Sequence, residues 1–304
     1  METKTMNDQV EISVIIVSYN TRDIITTCLD SIVNVNDDRK EIFVVDNAST
    51  DGSVEFIRQH YPKVHLIVNE ENRGFATANN QALQLSRGRY IVLLNPDGEF
   101  LPSTFGAMIS FMDANPHIGL AGVKMINPDG SPQESYSHEY PGNKLASHEI
   151  SRLKGSIAWV LGASMIIRSD IMKNLGGFDE TFFIYGEDQD LCLRIRKAGY
   201  EIGYIDTAII VHLGAQSERE TTTADVWRKK IIAEYTFYRK HYLPATVENI
   251  TRGALIKARW RIATLRLLMP FYKDGSKAEE KLVKYRAILR TINEIHHTDS
   301  QGRI

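Results

Sequence analysis

Short apolar runs alternate with amphipathic stretches from residue 12 onward. ISVIIVSY, EIFVVDN and VHLIVN are β-branched runs of strand length, with stretches of helical periodicity starting near Thr21 and after Gly52. A helix is predicted from Gly74 to about Ser86. It is followed by a strand ending at Asn95, a helix opened by Pro102 and a strand near IGLAGVKM. Strands that are apolar along their whole length are covered on both faces, and strands alternating with helices build βαβ units. The pattern therefore predicts an α/β fold with a Rossmann-like, mainly parallel sheet and helices on both faces.

After about residue 130 the rhythm changes. A polar segment containing Pro and His runs from Ser131 to Ser156, a length that marks a functional or disordered connection in a compact domain, so it reads as a lid or a partner surface. IAWVLGASMIIR then reads as one strand, GEDQDLCLR as the opening of an amphipathic helix and AIIVHLGAQS as another strand. From about Thr223 the chain turns helical and basic. The expected division is an α/β domain over 1–222 and a helical appendage over 223–304.

Bulk properties narrow the function class. At 304 residues the chain has ample length for a buried core. A formal net charge of −2 argues against a dedicated nucleic-acid binder. The two cysteines, Cys28 and Cys192, lie far apart in helical patterns with neither zinc spacing nor a disulfide framework, which reads as two reduced thiols. METKTMNDQVEI carries both charge signs and no apolar run, so no signal or transit peptide is expected there, and no run approaches the about 18 apolar residues of a spanning helix. A cytoplasmic location is the expectation.

Candidate chemistry gathers at strand ends. YIVLLNPDGEF stops abruptly in Asn95-Pro96-Asp97, and Pro96 both removes a donor and holds Asn95 extended. Asp97 is thereby presented beyond a buried strand, where α/β sheets bind ligands, and a hard carboxylate there suits a divalent cation carrying a diphosphate. The alternative is a plain Asn-Pro-Asp-Gly turn. The same tetrapeptide recurs at 127–130, where it reads as a hairpin turn. Asp46, at the end of VVDNASTDGS, is placed to accept from a base or ribose, whereas Asp51 and Ser53 read as helix caps. Arg73 and Gly74 open a helix with small early residues, a plausible diphosphate cradle or simply a helix start. Glu187, Asp188 and Asp190 crowd one helix opening, more acids than the helix dipole requires, and one of them could deprotonate an acceptor hydroxyl. His212 ends an apolar strand and could complete a metal site with Asp97, or be structural. Neither a GxGxxG after the first strand nor a GxxxxGK[ST] occurs, which removes the main support for dinucleotide and P-loop readings.

SVIIVSYN, VVDNASTDGS, NRGFATANN, LLNPD, GASMIIR, GGFDE, GEDQDLCLR and VHLGAQS together resemble the inverting family 2 glycosyltransferases of GT-A fold, most of all bacterial rhamnosyltransferase-like members. The resemblance spans residues 12 to about 217 in order. It implies that 1–222 is a nucleotide-sugar-binding and catalytic domain. Tyr19 and Asn20 would border the nucleotide, Asp46 would contact base or ribose, and Arg73 with Asn79 would lie along the diphosphate. Asn95 and Asp97 stand in the place of the family's DXD motif, with Asp97 and His212 as ligands of Mn²⁺ or Mg²⁺. Asn95 departs from the family pattern and leaves one fewer anionic ligand. Asp188 would be the general base, with Glu187 orienting it or the acceptor. Trp159, Gly177, Phe178 and Asp179 would shape the acceptor side, although Trp159 reads equally well as core.

The implied activity is transfer of a sugar, rhamnose from dTDP-rhamnose, to a glycan or lipid-linked glycan acceptor of the cell envelope, with a UDP-sugar as the alternative donor. Two competing readings are a nucleotidyltransferase, which lacks its usual Gly-rich loop here, and a degenerate nucleotide-sugar-binding scaffold, which the Asn95 departure favours. Between Trp227 and Arg290 there are 16 Lys or Arg against 5 Asp or Glu, and RGALIKARWRIATLRLLMPFYK combines apolar stripes with basic residues. That region is expected either to contact the inner face of the cell membrane peripherally or to pack on the core or on a second subunit as a homo-oligomer.

Overall fold

A computed structural model describes residues 10–35, 39–214, 221–269 and 275–300. The N-terminal segment 1–9, the Ala215–Ser217 end of the AIIVHLGAQS run and Pro270 lie outside them. The described chain divides into two compact units. One runs to Tyr140 and adds Leu153–Phe183 and residues from Glu187 to 214; the other takes Pro141–Arg152, Ile184–Gly186 and the residues from 221 onward.

The first unit opens with β1 (Ile12–Ser18), α1 (Ile25–Val33), β2 (Lys40–Asp46), α2 (Ser53–His60), β3 (His65–Val68), α3 (Gly74–Leu85) and β4 (Tyr90–Leu94). Next come β5 (Gly98–Phe100), α4 (Thr104–Ala114), β6 (Ile118–Ile126), β7 (Pro132–Gln133), β8 (Tyr136–Ser137), β9 (Trp159–Val160), β10 (Ser164–Arg168), α6 (Ser169–Asn174), α7 (Glu187–Lys197) and β11 (Glu201–His212). The main sheet runs β3-β2-β1-β4-β10-β6-β11-β5, with β7 added beside β6. Parallel pairing joins β1 to β2 and β4, β2 to β3, and β6 to β11, whereas β10 runs antiparallel between β4 and β6. The expected α/β fold with a mainly parallel sheet is what forms.

Both faces of the sheet are buried, which explains the unbroken apolar strands. Ile12, Val14 and Ile16 of β1 point to one side, against Ile25 and Leu29 of α1, Ile57 of α2 and Met108 and Met112 of α4. Ile15, Phe43 and Leu93 point to the other, against Ala76, Ala78 and Ala82 of α3, Ile171 of α6 and Leu191 and Ile195 of α7. Strand alternation of period two thus feeds two helical layers.

The sheet must curl. Four strand steps separate β4 from β5, about 19 Å on a flat sheet at ~4.8 Å per step. Yet only Asn95, Pro96 and Asp97 join them, in a turn closed by Gly98 N–H donating to Asn95 C=O at 3.0 Å, whose ends lie within about 7 Å. β5 then pairs antiparallel with β11, setting Gly98 opposite His212.

Three local expectations change. IAWVLGASMIIR is not one strand: β9 pairs with β8 in a separate two-stranded sheet, and Leu161–Ala163 breaks the run before β10 joins the main sheet. The 131–156 segment is not wholly irregular, because it holds β7, β8 and the short helix α5 (Asn143–Ala146). The helix expected near Thr21 starts at Ile25. The second Asn-Pro-Asp-Gly does make the hairpin turn between β6 and β7.

The second unit is built on α8 (Thr223–His241), α9 (Pro244–Leu268) and α10 (Gly275–Ser300). Thr222 caps α8 by accepting from Asp225 N–H at 3.3 Å. Pro244 starts α9, where Glu149 accepts from Leu243 N–H at 2.6 Å and Thr246 Oγ1 at 2.5 Å, an acid at a positive helix end. Tyr235 of α8 donates to Thr251 of α9 at 2.9 Å.

Gly177 has φ +77°, and a Cβ there would overlap Asn80 Oδ1, the atom that accepts from Phe178 N–H at 2.9 Å. Gly177→Ala is expected to destabilise the protein by about 2 kcal/mol or more, through left-handed strain and loss of this lock, read as a lower chemical denaturation midpoint.

Candidate active site

The turn after β4 and the end of β11 carry the first part of the site. Asp97 and His212 are both buried, and β5–β11 pairing brings Asp97 Oδ1 within 3.4 Å of His212 Nε2. Leu213 N–H donates to Asp97 C=O at 3.1 Å, so the two backbones are locked as well. That side-chain distance is long for a direct hydrogen bond and suits two donors facing one small cation.

Gln133 decides which nitrogen of His212 faces Asp97. Its Nε2 donates to the His212 carbonyl at 2.7 Å and to Asn127 Oδ1 at 2.6 Å, so its Oε1 must be the atom 3.0 Å from His212 Nδ1. An amide oxygen can only accept, hence Nδ1 carries a proton, and in the tautomer with that single proton Nε2 presents its lone pair to Asp97. A carboxylate oxygen and an imidazole lone pair aimed at the same point repel each other unless a cation or proton lies between them. The donor set therefore fits a divalent ion, with a side-chain hydrogen bond to the far ring nitrogen of the kind that orients metal-binding histidines. It is a sparse set, since among the described residues no group of three or more His, Cys, Asp or Glu is assembled for a metal. Asn95 is half-buried, and its backbone N–H donates to Ala163 C=O at 2.9 Å.

The second part is the opening of α7. Glu187, Asp188 and Asp190 are all buried, but they do different things. Asp190 pairs with Arg194 at 2.7 Å, and Arg194 also donates to the carbonyls of Leu175 and Gly177; this acid is structural. Asp188 is aimed: Oδ2 accepts from Gly162 N–H at 3.1 Å and Oδ1 from Gln189 N–H at 2.8 Å. Glu187 Oε2 is buried without a hydrogen-bond partner. Burial, then the neighbouring Asp188 carboxylate, push Glu187 well above the usual carboxylate range, and burial raises Asp188 by less because backbone N–H groups oppose it. Two adjacent acids driven apart in this way are suited to hold and accept a proton near neutral pH.

One loop ties the two parts together. Leu161–Ala163, the break in the expected strand, offers Gly162 N–H to Asp188 and Ala163 C=O to Asn95. Ser164 follows, opposite Leu94 in register, with a buried hydroxyl that has no partner. Sequence reasoning missed Gly162, Ser164 and Gln133. Only the Gly-Ala-Ser interruption of an apolar run hinted at the first two, and Gln133 had no signal.

The expected nucleotide residues lie mainly at the ends of β1 and β2 and on α3. Tyr19 is 49% exposed. Asn20, at φ +53°, accepts from Thr50 N–H at 2.9 Å, and its own N–H donates to Ser49 Oγ at 2.8 Å. Asp46 is fully buried, with both oxygens taking hydrogen bonds from Ser49, at 2.8 Å from N–H and 2.6 Å from Oγ. It therefore holds together the same turn network in which Asn20 sits. Arg73 is exposed just before α3, whereas Asn79 is buried, donates to Phe75 C=O at 2.9 Å and leaves Oδ1 unpartnered. Asn79 Oδ1, Ser164 Oγ and Glu187 Oε2 are the three such buried side-chain oxygens among the described residues, and two of them belong to residues picked out from sequence.

Each residue expected on the acceptor side is held by local contacts. Gly177 and Phe178 are buried, and Asn80 clamps their backbone by exchanging hydrogen bonds with Phe178 N–H and C=O, both at 2.9 Å. Asp179 Oδ1 accepts from Thr181 N–H and hydroxyl, at 2.9 and 2.7 Å. Trp159 packs against the second core cluster while its indole N–H donates to Glu139 C=O at 3.0 Å.

Two measurements follow from this geometry. Glu187 has a folded-state pKa above its unfolded value, so wild-type stability falls as pH rises from the unfolded value near 4.5 through the raised folded one. Glu187→Gln is expected to melt at a higher temperature than wild type above that window, with the gain vanishing at acid pH where both states are protonated. Long-range ¹⁵N–¹H NMR should show a proton on Nδ1 of His212, and Gln133→Leu should abolish that preference and lower stability by about 1 kcal/mol.

Comparison with known proteins places the chain. Residues 13–176 match the family described as Glycosyl transferase family 2, and residues 146–215 match one described as N-terminal domain of galactosyltransferase. N-acetylglucosaminyl-diphospho-decaprenol L-rhamnosyltransferase of Mycobacterium tuberculosis is 29% identical over an alignment 206 residues long that covers 58% of this chain and 67% of that enzyme. Poly(ribitol-phosphate) beta-glucosyltransferase of Bacillus spizizenii is 28% identical over 54% of this chain and 26% of its own. Among solved structures, the mannosyltransferase PcManGT of Pyrobaculum calidifontis, in complex with GDP-Man and Mn²⁺, superimposes with a TM-score of 0.58 at 19% identity, over 93% of this chain and 86% of that one. GalNAc-T7 with UDP, GalNAc and Mn²⁺ gives 0.52 at 17% identity, over 73% and 48%. These likenesses establish the GT-A fold, and with the family match over more than half its length the chain belongs to glycosyltransferase family 2.

Proposed function

We propose that the protein transfers a sugar with inversion from a nucleotide-sugar to a hydroxyl of a cell-envelope glycan carried on a lipid, and that the donor is dTDP-rhamnose. The observation that carries the reading is the aimed, desolvated Asp188, tied through Leu161–Ala163 to the turn that holds Asp97. The relative named for rhamnosyl transfer onto a diphospho-decaprenol supports the donor and the acceptor class.

On this reading residues 1–222 bind the donor and carry the chemistry. Tyr19, Asn20 and Asp46 flank the nucleoside, Arg73 and Asn79 approach the diphosphate, and Trp159 with the loop around Asp179 borders the acceptor. Asp188 removes the proton of the acceptor hydroxyl as its oxygen attacks the anomeric carbon. The nucleoside diphosphate departs from the opposite face, and one displacement without a covalent intermediate inverts the centre. Glu187, kept protonated by burial and by Asp188, can donate a hydrogen bond to the acceptor or to its partner acid. Asp97 and His212 would hold Mn²⁺ or Mg²⁺, which when bound stabilises charge on the departing diphosphate. The chain would work at the cytoplasmic face of the membrane, where activated sugars are made.

A thermal-shift series with dTDP, UDP, GDP and CDP, each with and without Mn²⁺, tests the donor, since a ligand bound to the folded state raises apparent stability by mass action. The expected outcome is a Mn²⁺-dependent rise with dTDP that Asp188→Asn keeps, while that variant loses at least a thousandfold in turnover of dTDP-rhamnose. A rise with UDP alone would replace the donor. No rise with any nucleotide would favour a binding protein that has lost its chemistry, the reading that Asn95 in place of an acid supports.

A further inference from the structure

Helix α9 has two opposite faces. Thr251, Ala258 and Leu265, spaced by seven residues, are buried within its own unit. At about 100° per residue, Ile256, Trp260, Ala263 and Leu267 fall on a stripe on the far side of the helix. That stripe is open: Ile256 is 62% exposed, Trp260 60% and Leu267 75%. Three large apolar side chains at those exposures, in register along three turns, form a continuous patch rather than scattered surface residues.

Cations flank the stripe on both sides. Arg252, Arg259 and Arg266, also spaced by seven, form a row along one edge, and Lys257 lies along the other. Arg252 pairs with Glu248 at 3.1 Å, the one acid of the helix. Arg259, Arg266 and Lys257 have no ion-pair partner among the described residues. The helix is neither long enough in apolar sequence nor uncharged enough to cross a bilayer.

We propose that this face of α9 docks on an anionic lipid surface, with Ile256, Trp260 and Leu267 entering the headgroup boundary and the arginine row meeting lipid phosphates. Trp beside Ile and Leu between rows of Arg and Lys is the composition of a helix lying in the interface plane. A second copy of the chain is the poorer occupant, because cations on both edges of the stripe would meet cations in any self-pairing. The inference rests on α9 alone and is independent of donor, acceptor and catalytic residues.

Co-sedimentation of the full chain with phosphatidylglycerol-containing vesicles tests it, against pure phosphatidylcholine vesicles. Binding to the anionic vesicles that weakens with added salt is expected. Ile256→Gln/Leu267→Gln should lower the partition coefficient on the order of tenfold, and Arg259→Gln/Arg266→Gln about fivefold per charge, with circular dichroism unchanged. The proposal is overturned if wild type ignores anionic vesicles at low salt, or if both variants bind as wild type does. It is equally overturned if sedimentation velocity finds a dimer that the Ile256/Leu267 variant dissociates, which would assign the face to a second copy.

Discussion

The turn from Asn95 to Gly98 is the constraint on which the first unit depends. Three residues cannot bridge four strand steps of a flat sheet, so closing this turn requires the sheet to curl until its far edge returns to the middle. Pro96 makes the exit from β4 abrupt by denying a ladder donor and excluding helical geometry at Asn95. Pairing of β5 with β11 then turns the curl into a juxtaposition, because it places His212, more than a hundred residues downstream, beside Asp97. The backbone hydrogen bonds on either side of that pair mean that neither group can drift without loosening the sheet edge.

The same unit bears buried charge that its stability does not favour. A carboxylate held away from water is costly unless it is paired, and Asp190 shows the paired solution with Arg194 only two residues beyond Asp188. Glu187 and Asp188 have no such cation among the described residues. Asp188 receives two backbone N–H groups and Glu187 has an oxygen with none. Neighbouring acids at one helix opening thus receive different treatments, and the unpaired two are the ones that the proposed chemistry uses.

Much of this was legible in the sequence, for a physical reason. Strand and helix periods, Pro96 and the clustering of acids at a helix opening are local signals, and they gave the sheet, the turn and α7. What was not legible depended on pairing between distant segments. The antiparallel insertion of β10 is invisible to periodicity, since a strand buried on both faces looks the same in either direction. Gln133 lies in a two-residue strand whose meaning comes only from β11. The backbone lock at Gly177 and Phe178 was equally illegible, because it depends on Asn80, nearly a hundred positions earlier. Glycine there answers to a left-handed φ and a crowded backbone.

The replacement of an acid by Asn95 has a consequence for the proposed chemistry. With Asp97 as its one anionic side chain and a neutral imidazole as its second, the Asp97–His212 pair offers a divalent cation much less charge than a three-acid cage would. On the proposed reading the balance would come from the diphosphate itself, so cation and nucleotide affinity would be two readings of one coupling free energy, each raising the other by the same factor. On that reading such a site would hold metal weakly when empty and firmly when the donor is present. His212 then matters through its orientation as much as its presence, because a ring with the opposite tautomer would direct a proton at Asp97 and oppose the cation. Gln133, by accepting from Nδ1 and donating to the carbonyl of the same histidine, fixes that choice before any ligand arrives.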